Sequence, residues 1–430
     1  MTGHALAALA DRYGTPLYVY ALDRVRQAYG RLRAALPGDD LYYSLKANPH
    51  PRLVGELGRL GCGAEVSSAG ELRTAVGAGV DPGRCLYTGP GKTSEEIRAA
   101  ILSGVRTFSV ESLVDLDRVE RAARAADRRV DVLIRVNPDE NVPGHGLAMT
   151  GTASQFGMDR AAVVAAGPRL AERGHARVAG CHCFFGTNLA DPTALVDQFR
   201  LAARVSAELA ERLEIDFRLV DMGGGFGHPY CVEGEPASLD GVREELESVL
   251  DEWLPGWRRG RPAVAFESGR YLVGGAGSLL CRVQDVKTSH GQTFVVVDAG
   301  INHLGGMSGL RRLPRLQAAV LQAGPDGPRS GAHLVGPLCT PLDWLSRDLE
   351  IAEAAVGDVL CVPNAGAYGL TASLIAFLGR DCPLEVVTDG GVVEHVSSLV
   401  IARDTSPNGN RVGEPWNTVT SGSSRSSRGA

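Results

Sequence analysis

Few residues of this chain combine reactive types with telling surroundings. Lys46 stands in Tyr43-Ser44-Leu45-Lys46-Ala47-Asn48, flanked by apolar residues in a segment that Pro49 closes. Most lysines are merely solvated, but one held at the mouth of a strand layer is desolvated. That lowers its pKa and frees a neutral amine to attack a carbonyl. Two further segments carry anion-binding chemistry: Asp221-Met222-Gly223-Gly224-Gly225-Phe226-Gly227 and Glu267-Ser268-Gly269-Arg270. Clustered glycines let backbone N–H groups approach an anion closely, and Arg270 adds charge. Triple glycine alone also reads as a tight turn; two such loops together favour the anion site.

These residues need elements to position them, and the hydropathy pattern supplies a count. Between positions 40 and 270, eight short apolar or β-branched runs begin at Leu41, Gly63, Cys85, Thr107, Asp131, Val178, Phe217 and Ala263. They alternate with stretches of helical period, such as EEIRAAILSGV and FRLAARVSAELAERL. Eight strand-then-helix units predict a (β/α)₈ TIM barrel with its active site at the C-terminal strand ends. An open doubly wound sheet fits the same alternation. On the barrel reading, Lys46 ends strand one, His182 lies near the end of strand six, and the two glycine loops follow strands seven and eight, where barrels often bind phosphate.

From Tyr271 the texture changes to β-like runs separated by Gly, Pro and Asp turns, predicting a second, mostly β-barrel domain. The expected division is 26–270 for the barrel and 1–25 plus 271–404 for the β domain, since TPLYVYALDRV near the start is also strand-like. Residues 405–430, rich in Gly, Ser, Asn and Arg, read as a disordered tail.

Composition narrows the function classes. The 430 residues carry 44 Lys plus Arg against 50 Asp plus Glu, a net charge of −6. No basic excess exists to neutralise the phosphates of a nucleic acid or an anionic membrane surface. No apolar run reaches membrane-spanning length, and nine cysteines scattered over a long chain suit a reducing compartment. The expectation is a cytoplasmic protein without nucleic-acid or membrane partners.

A phosphate cradle and a Schiff-base lysine in one barrel point to pyridoxal 5′-phosphate (PLP). That coenzyme also needs a flat contact for its ring and a partner for its pyridine nitrogen. His182 can supply the first and Glu267 the second. Three other patterns lead elsewhere. Gly91-Lys92-Thr93 mimics the end of a P-loop but has Leu86 where the first glycine belongs. Gly223 to Gly227 misses the dinucleotide fingerprint at His228. Cys181 and Cys183 share a strand face from which His182 points away, so no metal site is expected.

Seven segments in order then carry a family resemblance: Tyr43–Asn48, Ser67-Ser68-Ala69-Gly70-Glu71-Leu72, Gly180-Cys181-His182, Gly223–Gly227, Glu267–Arg270, Gly336-Pro337-Leu338-Cys339 and Gly366-Ala367-Tyr368. From about Thr15 to Ala402 the chain resembles fold-type III PLP-dependent decarboxylases, the group that includes diaminopimelate and ornithine decarboxylases. The resemblance implies an amino-acid decarboxylase working as a homodimer with active sites at the subunit interface. It implies that Lys46 binds the coenzyme covalently, His182 stacks on its ring and Glu267 pairs with the pyridinium nitrogen. Thr187, Gly224, Gly225, Gly269, Arg270 and Tyr368 would surround the phosphate. Cys339 and Asp343 would come from the partner subunit, Cys339 as proton donor; the alternative for Cys339 is a small buried hydrophobe.

Departures from the family pattern bear on substrate. Thr340 follows Cys339 where ornithine and diaminopimelate decarboxylases carry an acid that reads the distal amino group, and a hydroxyl cannot supply that counter-charge. Gly-Pro-Leu-Cys-Thr-Pro-Leu-Asp resembles biosynthetic members that act on modified, conjugated or carrier-tethered amino acids. Ser268 replaces a usual proline, Gln155 a lysine, and Glu65 stands where Asp is commoner. Three alternatives remain at this level: diaminopimelate decarboxylase proper, an amino-acid racemase, for which an arginine rather than Glu267 is expected at the ring nitrogen, and a PLP carrier or regulatory protein without turnover.

Overall fold

The computed structural model describes residues 1–38, 40–140, 147–148, 153–171, 173–305, 319–320 and 329–403. The tail expected over 405–430 lies outside them. Eight parallel strands form the first sheet: Asp40–Ser44, Gly63–Val66, Cys85–Tyr87, Thr107–Val110, Val130–Asn137, Ala176–His182, Leu219–Asp221 and Ala263–Ser268. Each pairs with its successor, and the eighth returns to the first through Phe266 opposite Leu41 and Ser268 opposite Tyr43. The ring is closed, which removes the open-sheet alternative.

The helices around the ring start and stop where local chemistry provides caps. Thr93 and Glu96 form a reciprocal capping box at the head of Ser94–Ser103, and Gly104, at φ +108°, ends that helix in the left-handed conformation that glycine adopts without strain. The long helix Pro192–Leu213 begins on Asp191 with proline in its first turn. Its buried Leu195, Phe199, Ala202, Ser206 and Leu209 recur at three- and four-residue intervals. Cys181 and Cys183 both approach Ser206 on this helix, so strand six turns its cysteines outward and leaves His182 on the opposite side.

The second, mostly β domain threads through both ends of the chain. Leu17–Ala21 runs antiparallel to Gly277–Ser289 and parallel to Leu384–Asp389. Leu17, Val19, Leu280, Val359 and Val386 bury together there, with Leu9 and Ala10 of an N-terminal helix, Gly3–Tyr13, packed against them. The helix Leu22–Ala35 follows strand Leu17–Ala21 without a loop. The strand passes into the helix at Ala21 and Leu22. At the other end, Ser268 leads through the short helix Arg270–Val273 into strand Gly277–Ser289. That brings the turn Gly366-Ala367-Tyr368 back onto the barrel mouth, where the Tyr368 amide donates to Ala47 O at 2.7 Å and Asn48 Nδ2 to Gly366 O at 2.9 Å.

Candidate active site

The mouth of the barrel is lined by polar residues at the ends of neighbouring strands. Lys46 sits in the single 3₁₀ turn Leu45–Ala47 that follows strand one. Its Nζ donates to Glu65, which closes toward it from strand two, at 2.9 and 3.1 Å. Glu65 also accepts from Thr88 Oγ1 at 2.5 Å, the latter just beyond strand three. Burial favours the neutral carboxyl, but the Lys46 ammonium and the Thr88 hydroxyl outweigh it and hold Glu65 down to about 2. Burial likewise opposes charge on Lys46, yet Glu65 and Glu267 more than compensate, so its pKa lies above the ordinary lysine value. This corrects the expectation of a lysine made neutral by desolvation: the amine is accessible, 43% exposed, but stored as an ammonium on a carboxylate.

Strands four to eight contribute the other side. His182 is fully buried, with Nδ1 bonded to Ser109 Oγ at 2.8 Å and Nε2 3.4 Å from Glu267 Oε1. Burial, then the Arg135 guanidinium, push its pKa well below the ordinary histidine value. Arg135 donates to Glu111 at 2.9 Å, and its guanidinium lies over Phe156 and Phe184. Glu267 is raised well above the carboxylate range by burial, by Glu65 and by Asp221.

The glycine loops meet below this group. Gly225 holds φ +109°, and a side chain on Gly224 would bring its Cβ to 2.5 Å from Glu267 O, so both positions depend on having none. Gln198, from the long helix, fixes the loop by donating to Gly224 O at 2.7 Å. Gly269 packs so closely that an added Cβ would meet Ala47 Cβ at 2.7 Å. Arg270 lies 4.7 Å from the Tyr368 ring centroid and 5.5 Å from that of Tyr230. Together Lys46, Thr187, Gly224, Gly225, Glu267, Gly269, Arg270 and Tyr368 wall one cleft, with Ser44, Phe184, Phe226 and Ser268.

Eight of the residues singled out from sequence thus share one cleft, with His182 buried beside Glu267 at its edge. Cys339, Thr340 and Asp343 are not in its wall within this chain. Cys339 is exposed in the loop between strands Arg329–Val335 and Trp344–Ala352. Asp343, expected at the substrate, is instead buried, its oxygens accepting from the amides of Ile301 at 2.8 Å and Leu338 at 2.7 Å. It pins the Cys339 loop from below, because a carboxylate out of water takes whichever backbone donors lie nearest. Lys92, the P-loop mimic, is likewise structural: it is buried on Asp115 at 2.7 Å and on the carbonyls of Gly89 and Ser109.

Sequence reasoning gave no role to Ser109, Glu111, Arg135, Phe184 or Asp221, and noted Glu65 only as a departure. All six stand at or just beyond the C-terminal ends of barrel strands. The rule that placed Lys46 and Glu267 would have found them had every strand end been read.

The residues fit PLP. Among the described residues Glu267 Oε1 is a buried oxygen without a hydrogen-bond partner, as the receiver of a ring N–H must be, and Arg270 Nε and Ser268 Oγ are buried beside the glycine cradle without partners. Residues 22–274 match the family model for the pyridoxal-dependent decarboxylase, pyridoxal binding domain. The chain belongs to this decarboxylase family. It is 31% identical over 405 residues to an L-glutamyl-[BtrI acyl-carrier protein] decarboxylase of Niallia circulans, covering 93% of this chain and 94% of that one. It is 35% identical over 397 residues to a diaminopimelate decarboxylase of Pseudomonas aeruginosa, covering 90% and 91%. The crystal structure of Helicobacter pylori diaminopimelate decarboxylase complexed with L-lysine superposes with a TM-score of 0.80 at 26% identity, over 91% and 95% of the two chains. This member of the pyridoxal-dependent decarboxylases is accordingly a PLP-dependent carboxy-lyase. No helix among the described residues is long and apolar enough to cross a membrane.

Proposed function

We propose that this decarboxylase removes the α-carboxylate of an amino acid presented in modified, conjugated or carrier-tethered form. One observation carries the reading. In the loop Gly336–Leu342 around exposed Cys339 there is no acid, and the nearest one, Asp343, is buried and engaged by backbone amides. A free dibasic substrate needs a counter-charge for its distal ammonium; a substrate whose far end is an amide or thioester does not. The relative that acts on an L-glutamyl carrier protein supports this choice.

PLP supplies the electron sink that accepts the pair released as carbon dioxide leaves. Lys46 is the residue to hold the coenzyme's carbonyl carbon and Glu267 the one to receive its ring N–H. Thr187, Gly224, Gly225, Gly269, Arg270 and Tyr368 would hold the phosphate, and His182, kept neutral, would pack against the ring without adding charge. Cys339 and Thr340 reach substrate only from a second copy of the chain. Exposed Leu342 in that loop, with Leu374 and Leu378 in the segment whose Arg380 donates to Pro337 O, supplies an apolar surface for such a homodimer. Cys339 then returns a proton to Cα on the partner's side. Unpaired thiols at all nine cysteines suit a cytoplasmic setting.

The relatives named diaminopimelate decarboxylase favour a second reading, free diaminopimelate as substrate. A mass-spectrometric screen of free, acylated and carrier-bound acidic and dibasic amino acids for loss of carbon dioxide decides between them. Turnover of carrier-bound or acylated substrates alone is the expected result; efficient release from free diaminopimelate would replace the proposal with the second reading.

A further inference from the structure

The buried charges at the barrel mouth do not balance. Lys46 is matched by Glu65 and Arg135 by Glu111. Asp221 and Glu267 remain, 0% and 1% exposed, and neither is ion-paired to a lysine or arginine among the described residues. The neighbouring base, His182, is kept neutral by its burial and occupied at Nδ1 by Ser109.

Parallel register brings the two carboxyls together. Asp221 stands opposite Ala265, so Glu267, two residues further on, emerges on the same face of the adjacent strand. The glycine loop locks them: Gly223 N donates to Asp221 Oδ1 at 2.8 Å, and Gly223 O accepts from Glu267 N at 2.8 Å. Asp221 Oδ2, Glu267 Oε1 and His182 Nε2 are each buried without a hydrogen-bond partner among the described residues. One ring nitrogen or carboxyl oxygen of each of these residues lies within 4.8 Å of the others. Two ionised carboxylates in so small a space, away from water and with the nearest cations already paired to Glu65 and Glu111, repel strongly.

We propose that Asp221 and Glu267 share one proton, and that Asp221 is the positioning residue that lets Glu267 offer a carboxylate to the ring nitrogen of the coenzyme. The electrostatics agree: burial and then, against the Gly223 amide, Glu65 push Asp221 up to about 7, while Lys46 and Arg135 are the cations facing the pair. Docking of a protonated ring nitrogen on Glu267 moves the shared proton wholly to Asp221, so the pair neither gains nor loses one. Only this consequence rests on the coenzyme reading; the proton belongs to the protein alone.

Infrared difference spectra of the cofactor-free full chain at about pH 6, where exposed carboxyls are ionised, test it. We expect a neutral-acid C=O band that disappears in both Asp221→Asn and Glu267→Gln. Buried Glu385, also raised to about 7, is the control, and its Glu385→Gln variant must leave that band in place. Absence of the band in wild type, its persistence in both variants, or loss in only one overturns the sharing. Should Asp221→Asn not fold, Glu267→Gln and the wild-type spectrum still decide.

Stability gives an independent reading. A carboxyl whose folded pKa is raised stabilises fully below its unfolded pKa and loses that contribution as pH rises through the folded value. The wild-type urea midpoint should therefore fall, relative to Asp221→Asn, from about pH 4 to about pH 7 and level off above; parallel curves contradict the proposal. Positioning is read from coenzyme affinity. Asp221→Asn, still a donor to Glu267, keeps it, whereas Asp221→Leu weakens it about tenfold, the size of one lost hydrogen bond. Equal losses in the two variants would reduce Asp221 to a structural role.

Discussion

Glu65 and Glu267 occupy comparable places in one barrel, yet their surroundings move their pKa values in opposite directions. Both lie at the ends of strands, on either side of strand one, and both are buried, at 2% and 1% exposure. Glu65 is held down to about 2, whereas Glu267 is raised well above the carboxylate range. Burial is common to both, so it cannot be the cause of the difference. What differs is the company: Glu65 has the Lys46 ammonium at 2.9 Å and the Thr88 hydroxyl, while Glu267 faces Asp221 and a neutral His182. The mouth thus holds one carboxylate reserved for the lysine and one carboxyl left open toward a ligand.

Removing the cation is the most severe test of that contrast. Lys46→Ala should abolish covalent attachment of PLP, seen as loss of the borohydride-trapped mark on the peptide containing residue 46. Turnover should fall by ~10²–10⁴-fold, the range for a lost proton-transfer group. In the same variant Glu65 should titrate far above about 2, because burial is then unopposed, while Glu267 stays raised. Equal movement of the two carboxyls in a nuclear magnetic resonance titration would break the comparison.

Glu267→Gln should cost about 10²-fold in kcat, comparable to losing one donor to developing charge, while leaving Lys46 trappable by borohydride. A variant that retained wild-type kcat would show that the ring nitrogen needs no carboxylate. Cys339→Ala should preserve the visible absorbance of the bound coenzyme and lower turnover by about 10–10²-fold. Deuterium incorporation at Cα in heavy water would expose lost fidelity. The smallest effect is on stability. Glu65, with its pKa lowered from 4.5 to about 2, stabilises the fold above its unfolded pKa and loses that contribution as pH falls toward 2. Since Lys46 is 43% exposed, Glu65→Gln should change stability at neutral pH by no more than about 1 kcal/mol and flatten the acid limb of the urea midpoint.

Much of this site could be read along the chain because each catalytic element is short. Lys46 and Pro49, the triple glycine, and Glu267 with Arg270 are local patterns, and the alternation of strands and helices assigns each to a numbered strand end. The partners that set their charge lie on other strands. Glu65 is 19 residues from Lys46, and Ser109 is 73 from His182. No periodicity announces such pairs, so the lysine was expected to be neutral and is not. Asp343 shows the converse: the family resemblance puts it at a partner's substrate, while within this chain its carboxyl accepts from the amides of Ile301 and Leu338.

Contiguous residues alone announce eight strand-and-helix units with a lysine, a glycine cradle and an arginine at their strand ends, since hydrophobic period and glycine freedom are local properties; that the ring closes is a fact of the fold. The folded arrangement alone sets which carboxyl is held low and which is raised. Protonation depends on the distance to the nearest cation and on exclusion of water, and both are fixed by contacts between strands that the chain visits many residues apart.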